Sequence, residues 1–222
     1  MSAPEAPAPW SLTGHGYIAL LRLPRDRADI EAWTPAPLAG AEPGGPGLLM
    51  YVDYRTSGVG PYRELLFMPG RFRHGGERRW SITRILVSTE ESVRAGRQNW
   101  GIPKEVAAFE ASRTDDGGES IRVTQDGVTL AELEFGPPGL RLPGGGALLP
   151  GGLRRMVQFR DGRCFRFTPA AGGPIAWSAV RRLSTDGERF PALGPENVLA
   201  SCAAPDFRMS FPVAEISAAA AT

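Results

Sequence analysis

Apolar and polar positions along this chain fall in short blocks, without the long helical stripes of a bundle. Gly16 to Leu23 (GYIALLRL), Leu48 to Arg55 (LLMYVDYR) and Tyr62 to Met68 (YRELLFM) are compact runs rich in Tyr, Val, Leu and Phe. That composition suits strands on a pleated, half-buried surface. Trp80 to Val87 (WSITRILV) and Lys104 to Ser112 (KEVAAFEAS) predict two more. Further on, Ile121 to Gln125 and Val128 to Phe135 flank Asp126-Gly127, while Met156 to Arg160 and Cys164 to Phe167 flank Asp161-Gly162 and Arg163. Asp-Gly between apolar runs signals a hairpin, because both residues tolerate positive φ. Ile175 to Leu183 and Phe207 to Ile216 supply later strands.

Two short helices interrupt this pattern. Asp26 to Trp33 is amphipathic, with Ile30 and Trp33 on one face, and TPAPLAG stops it. Ser88 and Glu91 stand at capping-box spacing, which predicts a helix from Glu90 to about Arg97 that ends near Gly101 and Pro103. At least eight strands with two short helices predict a mainly β fold, one closed or nearly closed antiparallel β-barrel. Residues 1–11 (beginning MSAPEAPAPW) read as a disordered Pro/Ala-rich arm, 12–217 as a single domain, and 218–222 as a flexible tail. Pro137 to Gly152 reads as a Gly/Pro/Leu loop that covers a pocket or simply connects.

Composition narrows the function. The net charge is +1 with both signs mixed along the chain, which argues against nucleic acid and against an anionic membrane surface. No apolar run approaches the roughly 20 residues of a membrane helix, and the first residues lack the basic start and apolar core of a secretory signal. Cys164 and Cys202 are isolated, with no ligand spacing for zinc, and read as thiols of a cytoplasmic protein. Gly144-Gly145-Gly146 lacks the strand, helix and lysine of a phosphate loop. The sharpest feature is one of usage: of the 25 basic residues, 24 are Arg and Lys104 is the only lysine. Arg stays charged at any working pH, whereas a desolvated lysine can lose its proton and attack a carbonyl. The plain alternative is a surface lysine that escaped replacement.

The local sequence GRQNWGIPKEVA, Gly96 to Ala107, resembles the acetoacetate decarboxylase signature, in which a Gly-Arg-Glu helix end leads through a turn into Pro-Lys. GPYREL, Gly60 to Leu65, is similar to that family's Tyr-x-Glu strand. RDRADIEAWTPAPL, Arg25 to Leu38, and SCAAPDFRMSFPVAEIS, Ser201 to Ser217, are similar to its early helix and its final strand. The resemblance spans about residue 12 to 217 and implies the fold of the acetoacetate decarboxylase-like superfamily. It also implies a homo-oligomer, no cofactor, no metal, and a small keto acid or ketone as substrate. Lys104 would form the Schiff base and Glu64 would be the pocket carboxylate. His15, Tyr62, Arg97 and Trp100 are the candidate substrate contacts, with helix capping or pairing with an internal carboxylate as the other role for Arg97, core packing for Trp100 and strand-end packing for His15. His74, in RFRHGGERR, reads as an exposed loop residue.

This chemistry has a physical logic. Condensing a ketone with an amine gives an iminium ion, which takes up the electrons left when CO₂ departs from a β-keto acid. The amine must be unprotonated to attack, and burial lowers a lysine pKa from about 10.4, as in acetoacetate decarboxylase itself. Three positions depart from the family pattern: Glu105 replaces a second lysine, His15 stands where a carboxylate-binding arginine is expected, and Gln98 replaces a glutamate. A carboxylate at 105 raises the pKa of a neighbouring lysine unless a strand turns it to the opposite face. The expected function is therefore a lyase that decarboxylates an acetoacetate-like acid. Aldol, dehydration or cyclisation chemistry through the same iminium stands as an alternative, as does a non-catalytic small-molecule-binding barrel.

Overall fold

Both Asp-Gly signals mark real hairpins. Asp126 and Gly127 have φ of 52° and 78°, and Asp161 and Gly162 have 51° and 70°, the left-handed pairs that match strand twist. The computed structural model describes residues 6–23, 33–142, 152 and 154–219. The expected helix Asp26–Trp33 lies almost wholly outside them, as do most of residues 143–153.

In chain order the strands are β1 (Trp10–Leu21), β2 (Gly47–Thr56), β3 (Tyr62–Met68), β4 (Arg71–His74), β5 (Glu77–Trp80) and β6 (Arg84–Val87). Helix α1 (Glu90–Trp100) follows, then β7 (Lys104–Val106), β8 (Ala108–Arg113), β9 (Glu119–Gln125), β10 (Val128–Phe135) and β11 (Arg141–Leu142). The chain continues through β12 (Met156–Arg160), β13 (Arg163–Phe167), β14 (Ala170–Gly172), β15 (Ile175–Trp177), β16 (Val180–Thr185), β17 (Val198–Phe211) and β18 (Glu215–Ala218). They form three sheets: a large one in the order β11-β15-β17-β1-β2-β3-β6-β7 with β14 also on β17, one of β16-β10-β9-β8, and one of β18-β13-β12-β5-β4.

Two expectations, the closed barrel and the purely antiparallel pairing, need correcting. No sheet closes into a barrel among the described residues, and α1 is their one α-helix. The pairing is not purely antiparallel: β6 and β7 run parallel, joined across α1, and β5 meets β12 in parallel. Ordinary chain geometry explains the open edge. KEVAAFEAS divides at Ala107, so Lys104–Val106 ends the large sheet while Ala108–Arg113 pairs with β9 in another. WSITRILV likewise divides between β5 and β6, and RFRHGGERR is a hairpin of β4 and β5, with His74 half-buried against Phe159 and Cys164.

The large sheet is covered on both faces, which is why its central strands read as unbroken apolar runs. On β3, Tyr62, Leu66 and Met68 enter one hydrophobic cluster together with Trp10, Trp100 and Phe165. Leu65 and Phe67 enter a second, with Tyr17, Tyr51, Phe135 and Phe190, against the four-stranded sheet. α1 lies against β6, β7 and β13 on the first face. Its N-cap is Thr89, whose hydroxyl accepts from Ser92 N; Ser88 instead accepts from Arg63 N at 2.9 Å. The helix runs on to Trp100 because that indole packs edge-on to Trp10 and donates to the Pro212 carbonyl at 2.7 Å. Of residues 1–11, Ala6 and Ala8 are held by the Asn99 side chain, and β1 begins at Trp10.

Because the second cluster lies across the sheet from Lys104, Phe190→Ala should lower stability by about 3–5 kcal/mol. Chemical unfolding followed by circular dichroism measures the loss, and the folded fraction should keep its Lys104 reactivity.

Candidate active site

Pro103 ends the turn after α1, and β7 then pairs with β6 so that Lys104 stands opposite Ile85. The lysine stem runs back beneath the helix. A Cβ on Gly96 would lie 2.7 Å from Lys104 Cδ and 2.9 Å from Cε, so only glycine leaves room for the stem. Arg97 Nε donates to the Lys104 carbonyl at 2.9 Å, and Gly101, at φ 65°, closes the helix in the left-handed conformation. The Gly-Arg…Gly…Pro-Lys spacing is thus a device for aiming one side chain.

The Lys104 amine is 4% exposed and its three donors are all engaged. They reach Glu64 Oε2 at 2.9 Å, Ser92 Oγ at 2.9 Å and Tyr62 Oη at 3.2 Å. Nζ also sits 4.7 Å from the Tyr62 ring centroid, a cation–π distance. Tyr54 donates to the other Glu64 oxygen at 3.2 Å, and its ring packs on Tyr62 with centroids 4.6 Å apart. Register explains the group: Tyr54 pairs with Tyr62 and Val52 with Glu64, so neighbouring layers of β2 and β3 converge on the amine.

Burial alone would depress the Lys104 pKa, as expected from sequence. Glu64 and then Tyr62 outweigh it, and the lysine sits above its ordinary value. The direction is thus opposite to the one burial alone implies, because Glu64 stands 2.9 Å from the amine. Burial and the adjacent Glu64 push Tyr54 well up, and burial raises Tyr62 against the pull of Lys104. Glu105 does not compete for the lysine. It points away to Arg84, and although burial opposes its charge, that arginine holds its carboxyl below the ordinary value.

The amine end opens on a cavity of about 530 Å³ that Tyr54, Tyr62, Glu64, Trp100 and Lys104 all line. Two other expected contacts stand elsewhere. Arg97 is spent on the Lys104 backbone. His15 belongs to the opposite face, where Nε2 meets Glu119 Oε2 at 3.0 Å. Donor atoms of His15, Asp53 and Glu119 lie within 4.8 Å of one another, but Arg63 pairs with Asp53 at 2.9 Å and Arg113 with Glu119 at 3.8 Å. Burial opposes the Glu119 charge, yet His15 and Arg113 hold its pKa below the ordinary value. Ser92 and Tyr54 escaped the sequence reading, and Gly96 entered it only as part of the signature. Ser92 and Gly96 are four apart on α1, so their shared face was legible in principle. Tyr54 needed the strand register.

A mainly β scaffold with a buried lysine at the head of a cavity places the chain among the acetoacetate decarboxylase-like proteins. The model of the family described as acetoacetate decarboxylase (ADC) matches residues 8–159, and the chain belongs to that family. No curated protein matches the sequence. The fold is shared with the enduracididine biosynthesis enzyme MppR with HEPES buffer bound, at TM-score 0.74 and 16% identity over 99% of this chain and 91% of that one. MppR complexed with the condensation product of pyruvate and imidazole 4-carboxaldehyde gives 0.71 and 16%, over 99% and 93%. Acetoacetate decarboxylase from Legionella pneumophila subsp. pneumophila str. Philadelphia 1 gives 0.71 and 13%, over 98% and 92%. At these identities the likeness is one of fold.

Two outcomes follow from the geometry. A lysine whose pKa rises on folding contributes stability below about 10.4, lost as pH climbs through the folded value. In Glu64→Gln the largest influence opposing desolvation is gone and only Tyr62 still resists it, so Lys104 should titrate lower than in the parent; the single lysine makes ¹³Cε NMR a direct readout. Equal titration in both proteins would remove Glu64 as the counterion. Gly96→Ala should shift the lysine stem and slow amine reactivity by about tenfold to a hundredfold with little change in melting temperature, as amine-labelling mass spectrometry would show.

Proposed function

We propose that the protein is a Schiff-base enzyme of the acetoacetate decarboxylase-like class, with Lys104 as nucleophile and Glu64 as its proton partner. The observation that carries this reading is the 2.9 Å contact between two buried, oppositely charged groups at the head of an apolar cavity. Passing one proton along that bond turns ammonium and carboxylate into amine and carboxylic acid without exchange with water. The amine adds to a substrate carbonyl to give a carbinolamine. Glu64 then protonates the departing hydroxyl, water leaves, and an iminium forms beside a carboxylate. The site carries the same charges before and after, so the cavity need solvate no new ion. Tyr62 and Ser92 stay within reach of the reacting nitrogen, and Tyr54 holds Glu64 in place.

In this reading the regenerated Glu64 carboxylate takes a proton from the carbon next to the iminium, giving an enamine that can attack a second carbonyl or eliminate a leaving group. Aldol-type or dehydrating chemistry is favoured because Lys104 is the one cation that the described residues present at the amine end, and Lys104 is consumed in the Schiff base. His15, expected to hold a substrate carboxylate, faces the other side. The bound condensation product in MppR agrees with such chemistry on this fold. Decarboxylation of a β-keto acid is the second reading, supported by membership of the family.

Borohydride added with acetone should leave a single adduct on Lys104, found by peptide mass mapping and lost in Lys104→Ala. In D₂O the protein should exchange the methyl protons of acetone, and Glu64→Gln should slow this by about 10²–10⁴. CO₂ release from acetoacetate without proton exchange would favour decarboxylation. No adduct with any carbonyl would sink the Schiff-base reading.

A further inference from the structure

The reactive group lies deep in its cavity. Tyr54, Tyr62, Glu64 and Lys104 are each at most 5% exposed. The lining residues Leu48, Met50, Arg71 and Trp80 are half-buried and Pro46 is exposed, so the cavity wall meets solvent at that end; Ala171, Gly172, Met209 and Phe211, beside Leu12 and Trp10, are half-buried as well. Strand register measures the distance between the two ends. Beyond the Val52–Glu64 layer that holds the amine come Met50–Leu66 and Leu48–Met68, and all four of these side chains line the cavity. Four residues of strand from Glu64 to Met68 cover about 13 Å. Among the described residues, nothing ionic faces the cavity along these two layers. Arg71 and Arg154 line it beyond Met68, close to Trp80 and Met156.

Such a passage selects against a small keto acid. A carboxylate beside the reacting carbonyl would have to leave water, cross two apolar layers and settle next to Glu64. An uncharged carbonyl with a hydrocarbon body gains at each of those layers, since every buried methylene favours binding. From this we infer that the substrate is an aldehyde or methyl ketone with an uncharged reacting head and an aromatic or medium-chain apolar body. The carbonyl reaches Lys104, the body lies along Met50, Leu66, Leu48 and Met68, and any anionic group belongs at the far end near Arg71 and Arg154. This inference rests on the Schiff-base reading for its chemistry, but the size and polarity of the ligand stand on the cavity alone.

The test pairs a covalent with a non-covalent readout. Methyl ketones from acetone to octyl methyl ketone, benzylacetone, pyruvate and acetoacetate are each trapped with borohydride, and binding is followed separately by the fluorescence of Trp10, Trp80 and Trp100, which line the cavity. The half-saturating concentration should fall about threefold to fourfold per added methylene across the middle of the series. A ketone with its carboxylate at the far end of the chain should bind at least tenfold better than pyruvate. Met50→Trp, which narrows the first apolar layer, should reverse the preference for long chains over acetone. Length-dependent binding without any adduct would support the ligand class while sinking the Schiff-base reading. Adducts that favour pyruvate or acetoacetate, or binding indifferent to chain length, would overturn the inference and leave the Schiff-base reading intact.

Discussion

Removing an ammonium and a carboxylate from water costs several kcal/mol per ion, and the cost is recovered only where geometry is good and every remaining proton finds a partner. Lys104 and Glu64 are both lost to solvent, so the surrounding structure is arranged to meet that condition. Ser92 and Tyr62 take the other two ammonium protons, and Tyr54 supports the second carboxylate oxygen. The contributions come from α1, β2, β3 and β7. A shift of one residue in any of these pairings would turn a partner to the wrong face and leave a buried charge unsatisfied.

On the proposed Schiff-base reading the same pair supplies the reactivity. In water an ammonium and a carboxylate would each be stabilised by solvent, and passing a proton between them would be uphill. In an apolar cavity the charged and neutral forms of the pair come closer in energy, because separated charges lose solvation there. Raised pKa and nucleophilic capacity are therefore compatible: the proton has somewhere to go, a carboxylate 2.9 Å away. The opposite face of the large sheet holds a second polar group, His15 with Glu119, but arginines pair with its acids and the cavity does not reach it. One sheet thus separates the Lys104–Glu64 cluster from the His15–Glu119 cluster.

Several elements were legible from local chemistry. Both Asp-Gly hairpins fall where the turn residues place them, and Tyr62–Met68 is a strand over its full predicted span. Helix α1 begins at Glu90 as its capping residues imply, with the hydroxyl of Thr89 acting in place of Ser88. What failed was anything that depends on which strands meet. KEVAAFEAS looks continuous because its composition is uniform, yet the chain changes sheets at Ala107. The parallel β6–β7 pair depends on a crossover through α1, and nothing within either short strand announces its partner. Arg97 and Trp100 were recognisable as important residues, but their roles, holding the Lys104 carbonyl and the Pro212 carbonyl, depend on neighbours distant in space or around a turn.

The sequence by itself determined the mainly β character, the turns, the family signature and the one residue that could act as an amine. Those follow from short-range physics: side-chain shape, positive φ, capping hydroxyls, and the difference between a lysine and an arginine. The tertiary structure decided that Glu64 and Ser92 meet the lysine, that Tyr54 backs Glu64, that His15 lies across the sheet, and that the amine is buried deep in an apolar cavity. Protonation, burial and access are set by long-range packing, because each depends on every group brought within a few ångströms by chains that are far apart in sequence.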